Sequence, residues 1–145
     1  MDLRRLADFF ERDVAFNRLV GLRVTDIAAG RCRCTVPFRD DLVGDPFRPA
    51  LHGGVASWLA DTAGGLAVFA SIGTLDARVS TIDLRVDYYA PAELRDLHAD
   101  AEVIRVGNRV GVSRILLHHG DAGVLVAEGK GVYNVHKRVT PAPVL

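Results

Sequence analysis

LHGGVASWLADTAGG, residues 51–65, is the stretch from which the rest of the chain is read. A histidine and two glycines open it, and an apolar run of helical character follows, from about Val55 to Ile72. Asp61 stands inside that run among Val55, Trp58, Leu59, Leu66 and Val68, where desolvation penalises a charge. Gly53 and Gly54 directly precede the run, so they belong at the helix N-terminus. There the first backbone N–H groups lack intrahelical acceptors and the dipole favours negative charge. Glycine lets a ligand approach that backbone closely, and such a site could hold a carbonyl oxygen as it becomes an oxyanion. The other reading is a tight loop-to-helix turn that needs glycine for its dihedrals.

Asp61 lies eight residues beyond Gly53, about 12 Å further along a helix rising ~1.5 Å per residue. An acid that distant cannot act on a carbonyl polarised by its own chain's glycines. Two copies with their helices side by side and antiparallel would bring the acid of one to the N-terminus of the other, giving two equivalent sites about a twofold axis. The alternative is a buried aspartate paired with an arginine or capping a neighbouring loop.

Outward from this stretch, Leu3, Leu6, Ala7, Phe10 and Val14 have helical spacing, and Gly21 is a C-terminal stop, so residues 1–20 are expected to form an N-terminal helix. Arg31 to Phe38 alternates polar residues with Cys32, Cys34, Val36 and Phe38, a strand entered through a turn near Ala28 to Gly30. Residues 40–51 hold two prolines and a glycine and read as an irregular loop. After the central helix, expected over 53–72, come four strands. In the first, Ser80, Ile82, Leu84, Val86 and Tyr88 are expected to share a face. The second carries Ala101 and Val103, the third runs from Arg109 to His119, and the fourth from Val124 to Val135. The order predicts one α+β domain over 1–145, an antiparallel sheet with a helix packed on one face.

Composition narrows the function. Lys plus Arg and Asp plus Glu number 18 each, so the basic excess of a nucleic-acid binder is absent. No run approaches the ~18 apolar residues of a membrane span, and the N-terminus lacks a signal peptide's apolar core, which points to a cytoplasmic protein with no membrane partner. Cys32 and Cys34 fit neither a CxxC pair nor a zinc half-site. His118 and His119 are adjacent on a strand and face opposite ways, so no metal site is expected. Ser57 lacks the flanking glycines of a nucleophile elbow, and Glu128-Gly129-Lys130-Gly131 does not complete a phosphate loop.

The pattern resembles the hotdog-fold acyl-CoA thioesterases, particularly the phenylacetate-pathway (PaaI-like) type. The resemblance runs from about Gly21 to Val135. It rests on His52-Gly53-Gly54 with Asp61 in Leu59-Ala60-Asp61-Thr62-Ala63, on Ser80-Thr81-Ile82-Asp83-Leu84 followed by Tyr89-Ala90-Pro91, and on Gly107-Asn108-Arg109. It implies a curved antiparallel sheet wrapped around a long helix, a homodimer with shared active sites, and dimers that pair into a homotetramer. It also implies hydrolysis of an acyl-CoA, with CoA a part of the substrate and no cofactor. Asp61 would be general base or nucleophile, Gly53 would supply the polarising N–H, His52 would shape the loop, and Thr81 would position water or the acid. Many relatives carry an asparagine six residues before the histidine; here that position is Pro46, beside Asp45.

An aromatic or medium-chain acyl group is expected against Phe47, Leu51, Trp58, Leu66 and Phe69, with Gly54 and Thr62 beside it. Arg109, Lys130, Lys137 and Arg138 are the cations available to the CoA phosphates. Two rivals share the scaffold. A hydratase or dehydratase would pair an aspartate with a histidine about five residues later, and Leu66 stands there. A non-catalytic acyl-CoA-binding protein is the other; sensors of that kind usually add a DNA-binding helical domain.

Overall fold

The alternating stretches form strands, and most of those strands form one sheet. The computed structural model describes residues 1–137. Its strands are β1 (Arg23–Ala28), β2 (Arg31–Val36), β3 (Val43–Asp45), β4 (Ala50–Leu51), β5 (Ala77–Tyr88), β6 (Leu97–Val106), β7 (Val110–His118) and β8 (Ala127–Lys137). Six of them make an antiparallel sheet in the order β1-β2-β6-β7-β8-β5. β1 has no counterpart among the predicted elements, because RVTDIA is largely polar and only Val24 in it is buried.

The central helix, α3 (Gly53–Ile72), crosses the inner face of this sheet and packs on β2, β5, β6, β7 and β8. Leu59, Ala60, Ala63, Leu66 and Ala67 of α3 meet Leu97, Ala99 and Ala101 of β6, Ile115 and Leu117 of β7, and Ala127 of β8, all of them buried. From Ala63 to Ala70 every residue of α3 is buried, so the helix is apolar all round as a core helix should be. Its length and composition would suit a membrane span, but most of it lies inside the protein. Gly73, at φ 83°, takes the left-handed conformation that stops the helix. Truncating Leu66, fully enclosed here, would cost about 2–5 kcal/mol.

Three expectations need correction. The N-terminal segment is two short helices, α1 (Leu3–Asp8) and α2 (Ala15–Val20), separated by a π-helical turn over Phe9–Asp13 and an extended Val14. The break lets Glu11 accept the Val24 N–H at 2.6 Å and brings Asn17, 4% exposed, into the interior. Gly21 ends α2 with φ 89°, as its position indicated. Second, residues 40–51 are ordered: a 3₁₀ turn at Asp40–Leu42 leads into the β3–β4 hairpin.

The third correction concerns β5. Thr81 pairs with Tyr133 and Asp83 with Val132, so Ile82 is an extra residue, a β-bulge. The bulge changes the parity of the strand. Thr81 shares the inner face with its cross-strand partner Tyr133, while Ile82 is 59% exposed, so Ser80, Ile82 and Leu84 do not form the expected common face. β5 is also an edge strand of twelve residues, with one side unpaired in the sheet.

Candidate active site

His52 is the N-cap of α3, and its Nδ1 accepts the Gly54 N–H at 2.8 Å. The Val55 N–H bonds the His52 carbonyl at 2.9 Å. Neither Gly53 nor Gly54 has a positive φ, so the pair is not there for its dihedrals. Gly54 is explained by the cap: a Cβ on it would lie 2.8 Å from the His52 ring. Gly53 is not explained by its own chain, because a Cβ there would meet nothing nearer than the Tyr88 ring at 3.8 Å. Its N–H has no acceptor among the described residues. The Tyr88 hydroxyl donates to the Gly53 carbonyl at 2.8 Å. Beside this donor is an open cavity of about 330 Å³ lined by Leu51, His52, Gly53, Tyr88 and Tyr89.

Asp61 lies two turns further along α3, half-buried. Its Oδ1 accepts from Thr81 Oγ1 at 2.7 Å, and its backbone carbonyl accepts from the Tyr133 hydroxyl at 3.0 Å. No arginine holds it, so the reading of a structural ion pair falls away among the described residues. Pairing with Tyr133, next to the bulge, sets Thr81 on the face of the sheet that meets this carboxylate. A second cavity, of about 260 Å³, opens here; Phe9, Phe10, Val14, Phe69 and Val79 form an apolar wall facing Asp61, Thr62 and Thr81. Phe10 stands edge-on to Phe69 at 6.4 Å. Gly53, Gly54, Ser57 and Asp61 lie along a stripe of α3 that the chain leaves exposed or half-covered, whereas Ala56, Leu59, Ala60 and Ala63 are buried. One uncovered stripe of α3 thus carries a main-chain donor and a carboxylate.

The other expected residues divide. Thr62 lies beside Asp61 and Gly54 beside His52, as their spacing requires. Trp58 is tied into the N-terminal segment: its indole N–H donates to Asn17 Oδ1 at 3.1 Å and its ring meets Phe16 edge-on. Phe47, at the tip of the β3–β4 hairpin, is 92% exposed and lines neither the cavity at Gly53 nor the one at Asp61 in this chain. Leu66 is core and Leu51 is 6% exposed; Leu66 does not line the cavity at Asp61, whereas Phe9 and Phe10 do. Arg109 is exposed beside the β6–β7 turn, and Lys130 is exposed on the outer face of the sheet near Arg85 and Arg114. Neither lines the cavity at Gly53 or the one at Asp61. Arg138 lies outside the described residues. Asp45 does not replace the missing asparagine, because its carboxylate accepts the Phe47 and Arg48 N–H groups at 2.9 and 3.1 Å. Those bonds hold it below the usual carboxylate range.

A family model described as the thioesterase superfamily matches residues 49–126, which include Gly53, Asp61 and Thr81. The chain belongs to the thioesterase superfamily. A relative from Halobacterium salinarum, named as an esterase, is 40% identical over 116 residues, 79% of this chain and 76% of that one. The medium/long-chain acyl-CoA thioesterase YigI of Salmonella typhimurium is 30% identical over 145 residues, 92% of this chain and 93% of that one. A solved structure from Shewanella oneidensis, related to the same superfamily, aligns with a TM-score of 0.82 at 32% identity, over 91% of this chain and 94% of that one. The expected hotdog architecture and the class of thioester hydrolase both stand.

Four neighbours of Gly53 and Asp61 escaped the sequence reading: Tyr88, Tyr133, Phe9 and Phe10. The last two were hidden by the break after α1, which re-aims them. Tyr133 had a signal. Gly129 and Gly131 precede it at alternate, inward positions of a strand, where glycine marks close approach of another group.

Proposed function

We propose that this thioesterase hydrolyses an acyl-CoA to the free acid and CoA, at sites shared between two copies of the chain. The supporting observation is the uncovered stripe of α3, with an unpaired Gly53 N–H near one end and a Thr81-bonded Asp61 two turns away. Antiparallel pairing of two such stripes offers each Asp61 the partner's donor. The twelve-residue free edge of β5 is available to the same twofold contact.

In this reading the Gly53 N–H binds the thioester oxygen and Asp61 of the other protomer takes a proton from water. The water oxygen bonds to the carbonyl carbon, and the resulting oxyanion is held by the N–H. Collapse breaks the C–S bond, and the proton on Asp61 passes to the departing thiolate. The same carboxylate could instead attack the carbon directly, expel the thiolate and form an anhydride that water cleaves. A single turnover in ¹⁸O-water tests the second route: label in the Asp61 carboxylate marks an anhydride cleaved at the aspartyl carbonyl, whereas direct attack of water puts label in the product acid alone.

The acyl group is proposed to occupy the aromatic-walled cavity at Asp61. Its volume of about 260 Å³ exceeds the ~150 Å³ that accommodates benzene, which supports an aromatic or medium-chain acyl group. YigI, named for medium and long chains, is in keeping with the latter. The test is thiol release from a panel of aliphatic and aromatic acyl-CoAs by wild type, Asp61→Ala and Asp61→Asn. The proposal expects release by wild type and almost none by the two variants. Equal rates in all three proteins would remove Asp61 from the chemistry.

A further inference from the structure

Gly64 and Gly65 are two consecutive glycines in the middle of α3, where glycine weakens a helix. Their explanation lies across the core, on β8. A Cβ on Gly64 would sit within 2.6 Å of Ser113 Oγ and closer still to the Tyr133 hydroxyl. One on Gly65 would press the Tyr133 ring at 3.3 Å, and one on Gly131 would strike the ring at 2.5 Å. Three glycines therefore clear a single seat, and Tyr133, 1% exposed, fills it.

From that seat the phenol donates to the Asp61 carbonyl at 3.0 Å. Thr81, its cross-strand partner on β5, donates to the Asp61 carboxylate at 2.7 Å, and the bulge begins at this pair. One pair of neighbours on the sheet thus grips Asp61 twice, by the main chain and by the side chain. Burial, and secondly the Asp61 charge, push the Tyr133 phenol well above its ordinary ionisation range, which keeps its proton in place as a donor.

We infer that Tyr133 is a positioning residue for Asp61: its hydroxyl fixes this turn of α3 against the sheet so that the carboxylate stays on Thr81 and faces the reacting water. The inference rests on the assignment of Asp61 to the chemistry. Loss of position at a reacting group lowers turnover without weakening substrate binding.

The test is steady-state hydrolysis of octanoyl-CoA by the full chain as wild type, Tyr133→Phe, Asp61→Ala and the Tyr133→Phe/Asp61→Ala double variant. Tyr133→Phe should lower kcat about tenfold with KM within about twofold. In the Asp61→Ala background it should lower the residual rate no further. Should Tyr133→Phe fail to fold, Gly64→Ala displaces the phenol instead and should give the same split between kcat and KM. An unchanged kcat in Tyr133→Phe or in a folded Gly64→Ala would overturn the inference. So would an equal further loss in the Asp61→Ala background, which would mark Tyr133 as merely structural. A wild-type rate in Asp61→Ala alone is a different result: it overturns the assignment of Asp61, and the inference with it.

Discussion

Gly53 and Asp61 divide the proposed chemistry between a main-chain donor and a side-chain acceptor, so they call for different substitutions. Asp61→Asn keeps the shape and removes the base and nucleophile; kcat should fall by about 10²–10⁴, with circular dichroism unchanged. Thr81→Val removes one hydrogen bond to a charged group, about 1.5–3 kcal/mol, and kcat should fall roughly ten- to a hundredfold. Gly53→Pro is the sharper probe of the donor. Gly53 is the first residue of α3, where proline is well tolerated. His52, at φ −58° and ψ 132°, already has the backbone that a following proline requires. The substitution therefore deletes the N–H at little cost to the fold, and kcat should drop about 10²–10³ with Tm near wild type. A Gly53→Pro enzyme of normal rate would exclude this N–H as the oxyanion donor.

Among the elements, the outer face of the sheet sets the response to acid. Arg33 grips Asp100 through two bonds, at 2.5 and 2.7 Å, and His118 Nε2 lies 3.0 Å from the same carboxylate. Asp100 is held below the usual carboxylate range by the Arg33 hydrogen bond first and the His118 hydrogen bond after burial's opposing effect. His98, bonded to Thr35 at 2.8 Å, is lowered by burial and next by His118. In both cases the unfolded chain takes up the proton first as pH falls, so the stabilisation is complete above the ordinary pKa and is lost below it. Tm should be level above about pH 7 and begin to fall below about pH 6.5, the ordinary histidine value. A second loss should come below about pH 4, in the ordinary carboxylate range. Asp100→Asn should shrink the second step without abolishing it, because Asp41, Asp45, Asp121 and Glu128 are held low as well. A profile level from pH 8 to 4 would contradict this. The N-terminal elements carry their own prediction. Asn17 joins the Phe10 carbonyl to the Trp58 indole, so Asn17→Ala strands two half-buried partners and should cost about 1–3 kcal/mol for the two bonds in a urea titration.

These elements also show what could be read in advance. The central helix, its histidine–glycine entry and Asp61 were legible because each is local: capping chemistry and period lie within one stretch of chain. The parity of β5 was not, since the extra residue at Ile82 exists only by comparison with β8. The same holds for Asn17, which is polar by type and buried only because the chain breaks at Val14 and turns α2 inward.

For the whole molecule, the separation of Gly53 from Asp61 is the governing fact. Eight helical residues hold the Gly53 donor and the Asp61 carboxylate about 12 Å apart in one chain, too far for one thioester and one water. On the proposal that each chain is half of two sites, two differently disabled chains should repair one another. The measurement is octanoyl-CoA hydrolysis after Asp61→Ala and Gly53→Pro proteins are unfolded together, refolded as a mixture and compared with each variant refolded alone. A mixed dimer holds one intact pair and one doubly broken pair, so random assortment should restore about a quarter of the wild-type rate from two nearly inactive proteins. A mixture no more active than its parts, with mixed dimers verified by native mass spectrometry, would contradict a site shared between chains.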